Sequence, residues 1–168
     1  MKKNLLLCIL LMTGSVILAQ EKTRGLETGL GFGVGFYTGD YSSTLMNADI
    51  NVDFDYFLSK QFSIFGHIDY NRSFSSKNTD AGSFGFATSH IGPRVHFAKI
   101  VFVGIGAGTA FFTDSYGSSW NFSYYPQAGV VLNHTQLSVG YKAWTYANSS
   151  FTTGMMELGV IFKLNKLH

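Results

Sequence analysis

The chain has 168 residues, of which 46% are hydrophobic, 16% aromatic and only 13% charged, with 19 glycines and 2 prolines. Soluble domains carry roughly 25% charged residues, so this composition excludes a disordered tail and argues against an ordinary water-facing surface. The formal charge of +2 includes Lys2 and Lys3 of a leader; the ten basic and ten acidic residues that remain give no footprint for nucleic acid or an acidic substrate.

Residues 1–19 have the layout of a secretory signal peptide: Lys2 and Lys3, an apolar stretch from Leu5 to Met12, then Gly14, Ser15 and a cleavage site after Ala19. The apolar stretch is too short and too interrupted for a membrane anchor. Lipidation of Cys8, the only cysteine, is disfavoured because three apolar residues before it make too small a signal core. The mature chain, 20–168, then lacks any thiolate nucleophile, disulfide or cysteine metal ligand, and no run of 18 apolar residues follows that would form a spanning helix.

From residue 25 onward the hydrophobic period is two. Leu26, Thr28, Leu30, Phe32, Val34 and Phe36 alternate with Glu27 and four glycines, and Ala48, Ile50, Val52, Phe54, Tyr56 and Leu58 alternate with Asn47, Asp49, Asn51, Asp53 and Asp55. Such alternation predicts strands, one face bulky and apolar, the other small or polar. Eight are expected, at 25–37, 46–58, 61–74, 82–97, 100–112, 120–132, 136–146 and 151–164. The fourth is irregular, with Phe84 and Phe86 on one parity and Ile91, Val95 and Phe97 on the other. A bulge at Ser89 to Gly92, next to Pro93, would reconcile them. Connections alternate between short turns (59–60, 98–99, 133–135) and longer Ser/Asp/Asn/Gly-rich loops (38–45, 75–81, 113–119). This is the plan of an all-β, eight-stranded antiparallel up-and-down transmembrane β-barrel, with strands long enough to cross a bilayer at a tilt.

A soluble lipocalin-like barrel shares the alternation with its apolar face turned inward. The polar face decides against it, because Gly, Ser and Asn with a few charges suit a crowded interior better than a solvated exterior. Phe36, Phe74, Phe84, Phe111, Trp120 and Phe122, with Phe151 close by, gather toward the long-loop rim as half of an interfacial aromatic girdle.

The leader, the eight strands and the last strand together resemble the small outer-membrane barrels of Gram-negative bacteria, of the OmpA-barrel, OmpX and OmpW type. The Ala19-Gln20 site resembles those of Bacteroidota. Glu157, Gly159, Phe162 and Leu164 resemble the polar-x-Gly-x-x-aromatic-x-hydrophobic signal read by the barrel assembly machinery, although Asn165 to His168 follow it where many family members stop. The resemblance implies an outer-membrane location, contact with lipid and lipopolysaccharide, and escort by periplasmic chaperones. It does not select an activity, since adhesins, narrow pores, lipid-modifying enzymes and plain anchors share the pattern.

The inward charges expected are Glu27, Asp49, Asp53, Asp55, Asp69 and Glu157, opposed by Arg94, Lys142 and Lys163, with His67 and His96 near them. They suit a salt-bridged plug in a narrow interior better than a polar pathway or a cation site on the Asp49/Asp53/Asp55 ladder. Ser63, His67 and Asp69 share a face, and adjacent Ser89 and His90 point to opposite faces, but a hydrolase needs substrate access that a filled barrel denies. The glycines at 29, 31, 33 and 35 lie within a strand and so form no dinucleotide loop. The histidines show no metal-ligand spacing, and no cofactor is expected. Asp40, Tyr41, Ser42, Ser43, Ser75, Ser76, Lys77, Asp80, Asp114, Tyr116 and Gly117 sit in the long loops, where an extracellular partner would bind if there is one. The expected role is a monomeric, non-enzymatic structural or surface-interaction barrel without a peptidoglycan-binding extension; the alternative is a narrow channel for small solutes.

Overall fold

The computed structural model describes residues 25–38, 45–75, 84–97, 100–114, 117–145 and 152–165. The leader, Cys8, Gln20, Phe151, His168 and the loop residues Asp40, Tyr41, Ser42, Ser43, Ser76, Lys77, Asp80 and Tyr116 lie outside them.

The alternating segments form eight strands: β1 (Gly25–Thr38), β2 (Leu45–Phe57), β3 (Phe62–Ser75), β4 (Gly85–Phe97), β5 (Val101–Asp114), β6 (Gly117–Leu132), β7 (Thr135–Thr145) and β8 (Thr152–Asn165). Each pairs antiparallel with its neighbours in the chain, and β1 pairs with β8, so the sheet closes into a barrel in the order β1 to β8. Closure leaves no open edge to pair with another chain, which is the condition for a sheet to sit in hydrocarbon. No helix among the described residues is long and apolar enough to cross a membrane.

Local chemistry sets the short turns. In β2–β3 the Ser59 hydroxyl oxygen accepts from the backbone N–H groups of Gln61 and Phe62 at 3.2 and 3.1 Å. In β6–β7, Asn133 takes φ 55°, a left-handed conformation that asparagine tolerates. At the start of β1 the Asn165 side chain accepts from Thr28 N at 2.7 Å and donates to Leu26 O at 2.8 Å, where the β1–β8 register shifts.

The apolar parity faces outward. Ile50 (67% exposed), Ile91 (65%), Ile68, Ile105, Leu158 and Phe162 form a wall of large side chains that water would not stabilise, whereas Asp53, Asp69, Arg94 and Lys142 are fully or almost fully buried. The barrel is therefore apolar outside and polar inside, the arrangement a bilayer selects.

The inward glycines are sockets for side chains from across the wall. A β-carbon at Gly31 would meet Asn51, at Gly33 Asp49, at Gly104 and Gly106 Phe65, at Gly129 Phe102, and at Gly140 Tyr125. A narrow barrel holds bulky inward groups only where a neighbouring strand is bare.

Three expectations are corrected. There is no bulge at Ser89–Gly92: β4 keeps one register with β5 on both sides of Gly92–Pro93, pairing Ile91 with Ala107 and Arg94 with Gly104. Phe86 faces inward on the same parity as Thr88, His90 and Arg94, and the partly buried Phe84 packs with it, so Phe84 does not belong to the outer girdle. Phe36, Phe74, Trp120 and Phe122 are exposed on the outer face. Finally, the loop expected at 113–119 is mostly strand, because the β5–β6 ladder runs on to Asp114 and Gly117. Polar residues at a rim can continue a ladder, since hydrogen bonding there uses the backbone.

Candidate functional site

The barrel lumen is where the charged side chains converge, and it has two layers. Toward the long-loop end, Tyr37, Phe86, Ala110, Phe112, Trp144 and Met155 form a buried apolar cluster with Phe84 packed against it. Phe86 and Phe112 stack with centroids 4.8 Å apart, and Trp144 lies edge-on to Tyr37 at 6.1 Å. The Tyr37 hydroxyl bonds Ser73 at 2.6 Å, fixing the cap to β3.

Below the cap lies the charge network. Arg94 from β4 contacts Asp55 closely, Asp53 Oδ1 at 3.3 Å and Gln127 at 3.1 Å, and its guanidinium is sandwiched between Phe65 and Phe102 at 4.6 and 4.5 Å. Lys163 lies 2.9 Å from Asp55, 3.8 Å from Asp53 and 3.9 Å from Glu27. His67 bridges two carboxylates, with Nδ1 3.3 Å from Asp53 and Nε2 3.1 Å from Asp69. Lys142 reaches Asp69 at 2.5 Å and makes a close pair with Glu157, which also accepts from the Tyr125 hydroxyl at 2.8 Å. Glu27, Asp53, Asp55, His67, Asp69, Arg94, Lys142, Glu157 and Lys163 are thus one connected system spanning β1, β2, β3, β4, β7 and β8. Asp49 lies in the same lumen but bonds only Asn51 Nδ2, at 2.8 Å.

Ser63 and His67 are not placed as a nucleophile and its base. Ser63 is four residues from His67 along β3, about 13 Å, and pairs elsewhere. Its hydroxyl donates to Asp55 at 3.0 Å, so the 2.9 Å contact with His96 Nε2 has the ring nitrogen as donor. Ser89 faces outward and bonds Thr109 at 3.2 Å, while His90 faces inward and bonds Ser123 at 2.8 Å; the Ser123 hydroxyl in turn donates to Ala143 O. Among the described residues, no three His, Cys, Asp or Glu side chains are placed to share a metal ion.

In β8, Glu157 and Gly159 are buried on the lumen side, while Phe162 and Leu164 are exposed on the outer side. The four residues of the terminal motif therefore show one polar and one apolar face, and Glu157 also serves as the Lys142 partner.

The charges lie beside groups that the alternation did not single out: Phe65, Phe102, Tyr125 and Gln127, and the whole apolar cap. The available signal was parity. Phe65 lies between Ser63 and His67, and Tyr125 between Ser123 and Gln127, each on a lumen-facing register.

No protein-family model and no curated protein matches this sequence. Among solved structures the chain is similar to Ail, the attachment invasion locus protein of Yersinia pestis, solved in complex with the heparin analogue sucrose octasulfate. The two are 17% identical with TM-score 0.50 over 83% of this chain and 97% of that one. A de novo designed transmembrane β-barrel is 17% identical, TM-score 0.56, over 86% and 100%. The outer-membrane enzyme PagL is 15% identical, TM-score 0.53, over 84% and 100%. The chain has the fold of small eight-stranded outer-membrane barrels. A designed scaffold, an attachment protein and an enzyme share that fold, which accordingly selects no role by itself.

Proposed function

We propose that this chain is an outer-membrane barrel of the structural or surface-interaction class: non-enzymatic, non-conducting, and holding its long loops toward the outside on a rigid lumen. The observation that carries this reading is the filled interior. Arg94, Lys142 and Lys163 are all paired with carboxylates inside the lumen, and Phe86, Phe112 and Trp144 close the end nearest the long loops. A cross-linked interior makes a stiff base for loop presentation, and loops on a rigid scaffold are where such barrels recognise partners. In this reading lipid and lipopolysaccharide surround the exposed apolar wall, and the terminal Glu157, Gly159, Phe162 and Leu164 serve assembly.

The mature protein reconstituted in a planar bilayer is expected to be silent. Discrete openings from the wild type that vanish in Asp53→Trp would overturn the reading and make the chain a narrow solute channel with its path through the lumen. For the enzymatic alternative, lipid A from a deletion strain is expected to keep the acylation of its parent. A change reversed by wild type but not by His67→Ala would instead mean catalysis.

A further inference from the structure

The lumen holds more acid than its side-chain bases neutralise. Among the described residues, Glu27, Asp49, Asp53, Asp55, Asp69 and Glu157 are buried there against only Arg94, Lys142 and Lys163. His67, if charged, balances one more. Every carboxylate except Asp49 has a cationic side chain within 4 Å. Asp49 is 4% exposed and its Oδ2 has no hydrogen-bond partner.

The side-chain cation that acts on it, Lys142, is already paired with Asp69 and Glu157, and two amide oxygens beside Asp49 lack donors as well. Asn51 Oδ1 and Asn71 Oδ1 are buried without a donor; Asn51 follows Asp49 by one inward position on β2, and Asn71 is the cross-strand partner of Asp49 on β3. Their amide orientations are fixed, because Asn51 Nδ2 donates to Asp49 Oδ1 and Asn71 Nδ2 to Asp69 Oδ1. Asp49 Oδ2 and Asn51 Oδ1 both lean over the bare stretch of β1, where β-carbons at Gly33 and Gly31 would meet them. Lone pairs without donors, beside an unneutralised carboxylate, define a site for a cation and exclude an anion. All are hard oxygens, with no nitrogen or sulfur among them, which selects a calcium-like ion with water completing its shell over a transition metal.

We propose that the lumen binds one calcium-like cation between β1 and β2, held by the Asp49 carboxylate and the Asn51 amide oxygen, with Asn71 closing the site from β3. The ion joins β2 to β3 just beneath the apolar cap and, together with a charged His67, balances the three carboxylates that the Lys and Arg side chains leave.

The test uses the mature chain refolded in detergent, with terbium as a luminescent substitute for calcium. Protein-sensitised terbium emission is expected to saturate at one ion per chain and to be displaced by calcium, and calcium is expected to raise the denaturation midpoint relative to chelator. Asp49→Asn should lose both effects, while Glu27→Gln, at the opposite end of the charge network, should keep them. Should Asp49→Asn not fold, Asn51→Ala is expected to bind terbium about tenfold more weakly or worse. Absence of emission together with equal midpoints in calcium and chelator would overturn the proposal and leave Asp49 neutralised by a proton. Loss of binding in Glu27→Gln would overturn it as well, placing the ion on the wider acid network.

Discussion

Arg94→Ala is expected to cost about 3–5 kcal/mol of stability, the loss that follows when one member of a buried charge cluster is removed and its partners stay behind. Arg94 is fully buried, and it is the main cation for Asp53 and Asp55, which are themselves buried. Lys163 reaches Asp55 at 2.9 Å but Asp53 only at 3.8 Å, so it replaces part of the lost neutralisation. The substitution also empties the space beside Phe65 and Phe102, where the guanidinium carbon lies 4.6 and 4.5 Å from the two ring centroids. Arg94→Lys should fall between the two, since an ammonium keeps the charge but loses the planar contact and the reach to Gln127. The measurement is the urea midpoint in detergent, paired with electrophoresis of unboiled samples, where a folded barrel migrates differently from its boiled form. A midpoint within error of wild type for Arg94→Ala would mean that the network is not a structural plug.

Ile68→Arg is expected to destabilise the folded protein in lipid by about 2–4 kcal/mol, the cost of placing an arginine on the lipid face near the bilayer midplane. Ile68 sits near the centre of β3, half exposed, with Tyr70 the next outward residue on one side and Gly66, then Ile64, on the other. The same change in a barrel surrounded by water would be close to neutral, because an exposed surface position tolerates charge. Refolding yield in lipid vesicles, measured by the unboiled mobility shift, separates the cases. A variant that folds as well as wild type and remains soluble without detergent would show that water, not lipid, faces the outer wall.

Much of this was legible because strand periodicity is local. Alternation in β1 and β2 sets which residues share a face, and the acidic residues of β2, Asp49, Asp53 and Asp55, mark that face as enclosed once the opposite one reads Ile, Val, Phe and Tyr. The reading faltered where the two faces have the same polarity. In β4, Phe84 and Phe86 are apolar like the outer wall, yet they lie on the parity of His90 and Arg94, because the loop end of the lumen is itself filled with rings. A bulge was then expected where the strand is regular. Likewise Asp114 and Gly117 read as loop although they are paired to each other across the β5–β6 ladder.

The number of strands and, outside the loop end of β4, which residues share a face follow from a period of two and from turn chemistry, both local to the chain. Which charge meets which was decided only by closure. Asp53 and Arg94 are 41 residues apart, Asp55 and Lys163 108 apart, and no local pattern encodes the register and stagger that bring them within reach. The same closure brought Gly31 and Gly33 of β1 beneath Asn51 and Asp49, leaving a buried carboxylate with no cation of its own. Tertiary structure settles such partners because a barrel's interior is set by how strands from the whole chain are staggered, a property that no strand carries alone.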